Sequence, residues 1–119
     1  MAGIVMIMRK RKYVPRWVEI TRDQTLFYKK TQGHQKVRQI MNLSDAKLEQ
    51  GVERHLDDSM KEVIDFRYFK LTGDVNGKPN SLLLRFDKYK DYREWGTVLL
   101  EATTSNKELL KKREDNIRE

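Results

Sequence analysis

Arg9-Lys10-Arg11-Lys12 sets four cations side by side, and Arg16 follows them after Tyr13-Val14-Pro15. Guanidinium and ammonium groups gathered in this way grip anionic oxygen, whether on a lipid phosphate, a nucleic-acid backbone or an acidic protein. A second basic group, Lys29-Lys30 with His34, Lys36 and Arg38, surrounds Gly33. Other chemistries lack their parts. There is no Cys, so disulfides and thiolate zinc sites are excluded. His34 and His55 are isolated, with no HExxH pattern, and read as solvated side chains. Asp57-Asp58-Ser59 has no orienting His, and Gly73 and Gly77 lack GxGxxG or P-loop surroundings, so catalysis is not expected.

A chain of 119 residues fits one core and one domain. Charged residues make up 36% and apolar ones 38%, a polar balance, yet four Phe, five Tyr and two Trp argue for a packed fold rather than disorder. The net charge of +7 draws the chain to anionic surfaces without choosing among them. Nucleic acid is the weaker candidate, because the cationic run has only Tyr13 as a stacking platform and no nucleic-acid motif accompanies it. The apolar start MAGIVMIM is too short to cross a membrane, and its cations follow the apolar run where a signal peptide has them first. Met1-Ala2-Gly3 is also not the Met-Gly start that myristoylation needs.

The elements that must hold the cations are mostly strands. Gly3 to Met8 is an apolar run of strand length, and Arg16 to Thr21 alternates Val18 and Ile20 against Trp17 and Glu19. The basic segment from 9 to 15 is expected to be the loop between them. After a polar turn at 22–25, Leu26 to Lys30 is a third strand with Leu26 and Tyr28 on one face, and Gln39 to Leu43 is a fourth beyond the loop at 31–38. Ser44 to Val52 reads as a strand through its alternation, with a helix as the competing reading. Glu53 to Asp65 reads as a long polar loop in which Ser59 and Glu62 can cap one helical turn. Phe66 to Thr72 and Ser81 to Phe86 are strand-like, joined by a connection carrying the Asn76-Gly77 turn signal. From Asp87, a plausible cap, Tyr92, Trp95, Leu99 and Ala102 recur at helical steps. Thr103 to Asn106 ends that helix, and Ser105 with Glu108 opens a charged tail.

Seven short strands and a terminal helix bury both sheet faces if the sheet bends into a small barrel with the helix in one opening. In that order the chain resembles a pleckstrin-homology (PH) domain from about residue 3 to 104. The matching residues are Gly3-x-Val5, Arg16-Trp17-Val18-Glu19-Ile20, Leu26-Phe27-Tyr28-Lys29 and, above all, Trp95 in the last helix. The resemblance implies a mostly β fold, a seven-stranded bent barrel or sandwich capped by one C-terminal α-helix. Residues 1–105 are then the domain and 106–119 a charged tail, read as a marginal helix or a frayed end.

In such a meander alternate turns share an end, which gathers Arg9, Lys10, Arg11, Lys12, Lys29, Lys30, His34, Lys36 and Arg38. Arg16, with the strand parity of Val18 and Ile20, points inward at that mouth. The resemblance makes this end a lipid-headgroup site, with the connection at 73–80, including Lys78, as a third wall. Tyr13 and Val14 are expected at the loop tip, available for insertion among headgroups. Ile7 and Val14 stand where phosphoinositide binders of the family carry basic residues. That departure points to a less selective phosphate reader, for phosphatidic acid or anionic membranes generally, rather than a stereospecific phosphoinositide pocket. The expectation is therefore a non-enzymatic module without cofactor or metal, peripheral on the cytoplasmic face of a membrane. Its partners are anionic lipids or, alternatively, a protein taken between a strand edge and the C-terminal helix.

Overall fold

Alternation decides the inner face. Val5 and Ile7, Val18 and Ile20, and Leu26 and Tyr28 occupy every second position of three successive strands, and all six are buried. In the computed structural model these strands are β1 (Ala2–Arg9), β2 (Lys12–Ile20) and β3 (Thr25–Lys29). They are followed by β4 (Arg38–Asn42), β5 (Lys47–Leu56), β6 (Glu62–Val75), β7 (Lys78–Phe86) and the helix α1 (Tyr89–Thr103). The structure describes residues 1–75 and 77–104. Asn76 of the expected turn, the Ser105–Glu108 cap and the tail at 106–119 lie outside the described residues.

The strands form one antiparallel sheet in the order β4-β3-β2-β1-β7-β6-β5. It bends back on itself: Met41 of β4 pairs with Val75 of β6. β1 and β7 meet only through Met6 with Arg85 and Ile7 with Leu84, which leaves a seam in the wall. The result is the expected mostly β bent barrel with one C-terminal helix.

The helix closes an end of the barrel with aromatic mass. Trp95, Leu99 and Ala102 are buried, each large apolar side chain contributing about 1.5–3 kcal/mol. Tyr92 stacks on Phe69 with ring centroids 4.5 Å apart, and its hydroxyl donates to Gln50 Oε1 at 2.9 Å. Asp87 is not the cap. The Arg85 guanidinium donates to its carboxylate at 2.8 and 3.0 Å, and Lys88 occupies the N-cap position.

Three other expectations change. The strand expected from Ser44 begins at Lys47, because Leu43–Asp45 makes a short 3₁₀ turn with Leu43 fully buried. The loop expected at 53–65 is instead a hairpin: β5 continues to Leu56 and β6 starts at Glu62. Its strands are exposed on both faces, so no burial periodicity marked them. The connection at 73–80 shrinks likewise, Val75 pairing with Lys78 across a turn in which Gly77 takes φ 83°.

Gly96 shows how tightly α1 sits. A Cβ there would lie 2.7 Å from Phe69 Cζ, and that ring is held between Tyr92 and Phe86. Glycine to alanine inside a helix ordinarily gains about 1 kcal/mol. Here overpacking outweighs the gain, and Gly96→Ala is expected to destabilise the fold by about 1–3 kcal/mol, read as a lowered urea midpoint at unchanged m-value.

Candidate functional site

The cationic run is not a loop. Arg9 closes β1 and Lys12 opens β2, directly opposite each other, so the connection is the two residues Lys10 and Arg11. Both have positive φ, 48° and 71°, as a two-residue hairpin turn of this hand demands. Such turns ordinarily carry Asn-Gly, and a residue whose Cβ crowds the carbonyl at positive φ costs roughly 1–2 kcal/mol. The chain holds two long cations in a conformation that disfavours them.

Register then sorts the side chains. Arg9, Lys12, Val14 and Arg16 share the parity of buried Ile7 and Val18 and line a shallow depression of about 240 Å³, with Lys10 at its edge. Arg9 lies over the Tyr28 ring at 6.0 Å, and Arg38 is the register partner of Tyr28, which brings Arg38 to the same rim. The Arg16 guanidinium donates to the carbonyl of Pro15 at 2.8 Å. Among the described residues, none of Arg9, Lys10, Arg11, Lys12, Arg16 and Arg38 is in an ion pair. Their charge is available to a ligand.

Other expected members lie elsewhere. Lys29 follows buried Tyr28 and so turns to the outer face, where its ammonium stands 3.9 Å from Glu19. Lys30 lines an outer groove of about 270 Å³ with Ile4, Pro15 and Trp17, and Arg16 borders both this groove and the depression. Lys36 is exposed in the segment between β3 and β4, with no described contact tying it to the depression.

Tyr13 and Val14 are not at a loop tip. Tyr13 pairs with Met8, and its ring packs edge-on against Phe66 at 5.4 Å with the Arg85 guanidinium 5.5 Å away. Burial pushes its phenol pKa upward, against a lowering by the Arg85 charge. Val14, opposite Ile7, forms part of the depression. The tip that projects is Lys10-Arg11, so the expected insertion of Tyr13 and Val14 is withdrawn. Lys78 is bound into the β6–β7 ladder.

Pro15 had obscured the strand. It faces Met6 of β1, while β3 reaches only as far as Lys29, opposite Trp17. The missing N–H therefore falls on the side where no neighbour waits. His55 is not solitary either: its Nδ1 lies 2.5 Å from Asp65 Oδ1.

A second concavity lies at the other side of the fold. Leu48, Gln50, Phe69, Tyr92, Gly96 and Leu100 line a groove of about 340 Å³ between β5 and α1. Among the described residues no group of His, Cys, Asp and Glu is arranged to hold a metal ion, and no helix is long and apolar enough to cross a membrane.

Replacing Lys10 by Asn and Arg11 by Gly together is expected to relieve the turn and raise folding stability by about 1 kcal/mol, measured by urea denaturation. Residues 2–104 match the family model described as PH domain. No curated protein and no solved structure matches the chain.

Proposed function

The chain belongs to the PH-domain family, and on that premise we propose that the mouth formed by Arg9, Lys10, Arg11, Lys12 and Arg16 binds anionic phospholipid headgroups and brings the protein to a membrane surface. PH domains are typically non-catalytic binding modules for lipid or protein. The observation that carries the lipid reading is the strained turn. Two long cations held at positive φ, among neighbours free of ion pairs, fit a site kept for its ligand rather than for stability.

The ligand class follows from the walls. Ile7 is fully buried and Val14 is apolar, so the inner side of the depression lacks fixed donors to discriminate ring phosphates. Charge density at the rim suits a phosphomonoester such as phosphatidic acid, or anionic bilayers generally, and phosphoinositides as members of that class. Five cations at about 1 kcal/mol each give only submillimolar affinity, so attachment is reversible and peripheral, on the cytoplasmic leaflet where anionic lipid is concentrated. In this reading residues 1–105 are the binding unit, and the protein is not an enzyme.

A second reading rests on the groove beside α1. β5 is the edge strand of the sheet, and its free backbone borders Leu48, Phe69 and Leu100, an arrangement that accepts an extended apolar peptide as an added strand. Salt separates the two: headgroup binding collapses as ionic strength rises, whereas peptide in the groove stays bound.

Vesicle flotation tests the proposal. Binding is expected to rise with phosphatidic acid content and to be lost in Arg16→Glu and Lys12→Glu, while Lys29→Glu, on the outer face, leaves it near wild type. The Lys10→Asn, Arg11→Gly pair folds more stably yet binds about 30-fold more weakly, the loss of two cations. Binding indifferent to lipid charge, or surviving Arg16→Glu, would refute the assignment.

A further inference from the structure

The β5–β6 hairpin extends past the rest of the sheet. β7 accompanies β6 only to Phe86, opposite Arg67, so from Phe66 to the turn β5 and β6 pair with each other alone. A two-stranded ribbon of this kind is marginal in water unless something covers it. The register places Leu56 and Ile64 on one face, 55% and 44% exposed, and Met60 at the tip is 74% exposed with φ 63°.

The ribbon is also acidic within a basic chain. Glu53, Asp57, Asp58, Glu62 and Asp65 outnumber Arg54 and Lys61. Some of that charge is spent inside the ribbon, where Arg54 pairs with Glu62 at 3.1 Å and His55 with Asp65. The Asp57 carboxylate accepts the backbone N–H groups of Ser59 and Lys61 at 2.8 and 2.9 Å and shapes the turn. Asp58 is exposed and, among the described residues, in no ion pair. The tip thus presents the Asp57 and Asp58 carboxylates and the Lys61 ammonium, which is in no ion pair among the described residues, beside one flexible thioether.

We propose that this tip docks into the basic mouth of a second copy of the same chain, Met60 entering over Val14 while Asp58 meets Lys10 and Lys12. Charge complementarity selects the occupant. An anionic membrane repels an acidic tip, whereas the mouth offers a cationic rim around Val14, in a depression of about 240 Å³ with room for a long side chain. Tip and mouth are different surfaces, so one contact leaves a tip and a mouth open to the next copy, and chains add head to tail unless the geometry closes a ring or a reciprocal pair. The inference rests on the mouth being an anion site, and it makes lipid and self-association competitors for it. The net charge of +7 keeps the contact weak and salt-sensitive.

Sedimentation velocity on the full chain is the test. At low ionic strength the average mass is expected to climb with protein concentration, and to return to the monomer in about 0.5 M salt or on adding phosphatidic-acid vesicles. The chain carrying Asp58→Asn with Met60→Ser stays monomeric, as does the chain carrying Lys10→Glu with Lys12→Glu. Their equimolar mixture forms a one-to-one complex, because one intact tip then meets one intact mouth. A wild-type chain that remains monomeric, a mixture that does not recombine, or tip substitutions that leave association unchanged would each overturn the inference. The tip variant retains vesicle flotation, so loss of lipid binding in the wild type refutes the headgroup reading alone, and absent self-association with intact flotation refutes this one alone.

Discussion

Arg9 and Lys12 face each other across two residues, and this closure fixes which way every side chain of β1 and β2 points. Period-two alternation leaves no intermediate choice: with that register Lys12, Val14 and Arg16 join the inner face, and Tyr13, Pro15 and Trp17 the outer. A slip of one position would send Arg16 outside and Tyr13 into the mouth. The register is held by Val5, Ile7, Val18 and Ile20, whose burial a slip would forfeit. The core and the cationic mouth are therefore one constraint seen at two ends of the same strands.

The barrel and its helix were legible because burial writes a period into sequence. Val18 and Ile20, Leu26 and Tyr28, and the Tyr92-Trp95-Leu99-Ala102 series carried it, and these residues pack as that pattern requires. Where neither face is covered the pattern vanishes, which is why 53–56 and 62–65, two strands of a hairpin, read as loop. Asp87 was misplaced for another reason: its sequence position suits a cap, but a neighbouring guanidinium claims it.

The candidate site was legible in part. Arg16 could be oriented from parity, and the same rule applied to Lys29 would have removed it, since it adjoins inward Tyr28. The expected loop at 9–15 failed because a Pro and four cations mimic irregular structure, and turn statistics offer no warning that Lys-Arg can occupy positions made for Asn-Gly. Tyr13 was lost to a partner far along the chain, Phe66, which no local pattern reveals.

Pro15 has a further significance. Above Trp17 the flank of β2 runs beyond the end of β3, a stretch of bare backbone beside the cationic rim. Such margins recruit foreign strands and seed fibrils. A residue with no amide hydrogen interrupts that template, and adjacent like charges repel a second copy of the same flank, so the bare margin stays open without the hazard of indiscriminate polymerisation into cross-β aggregates.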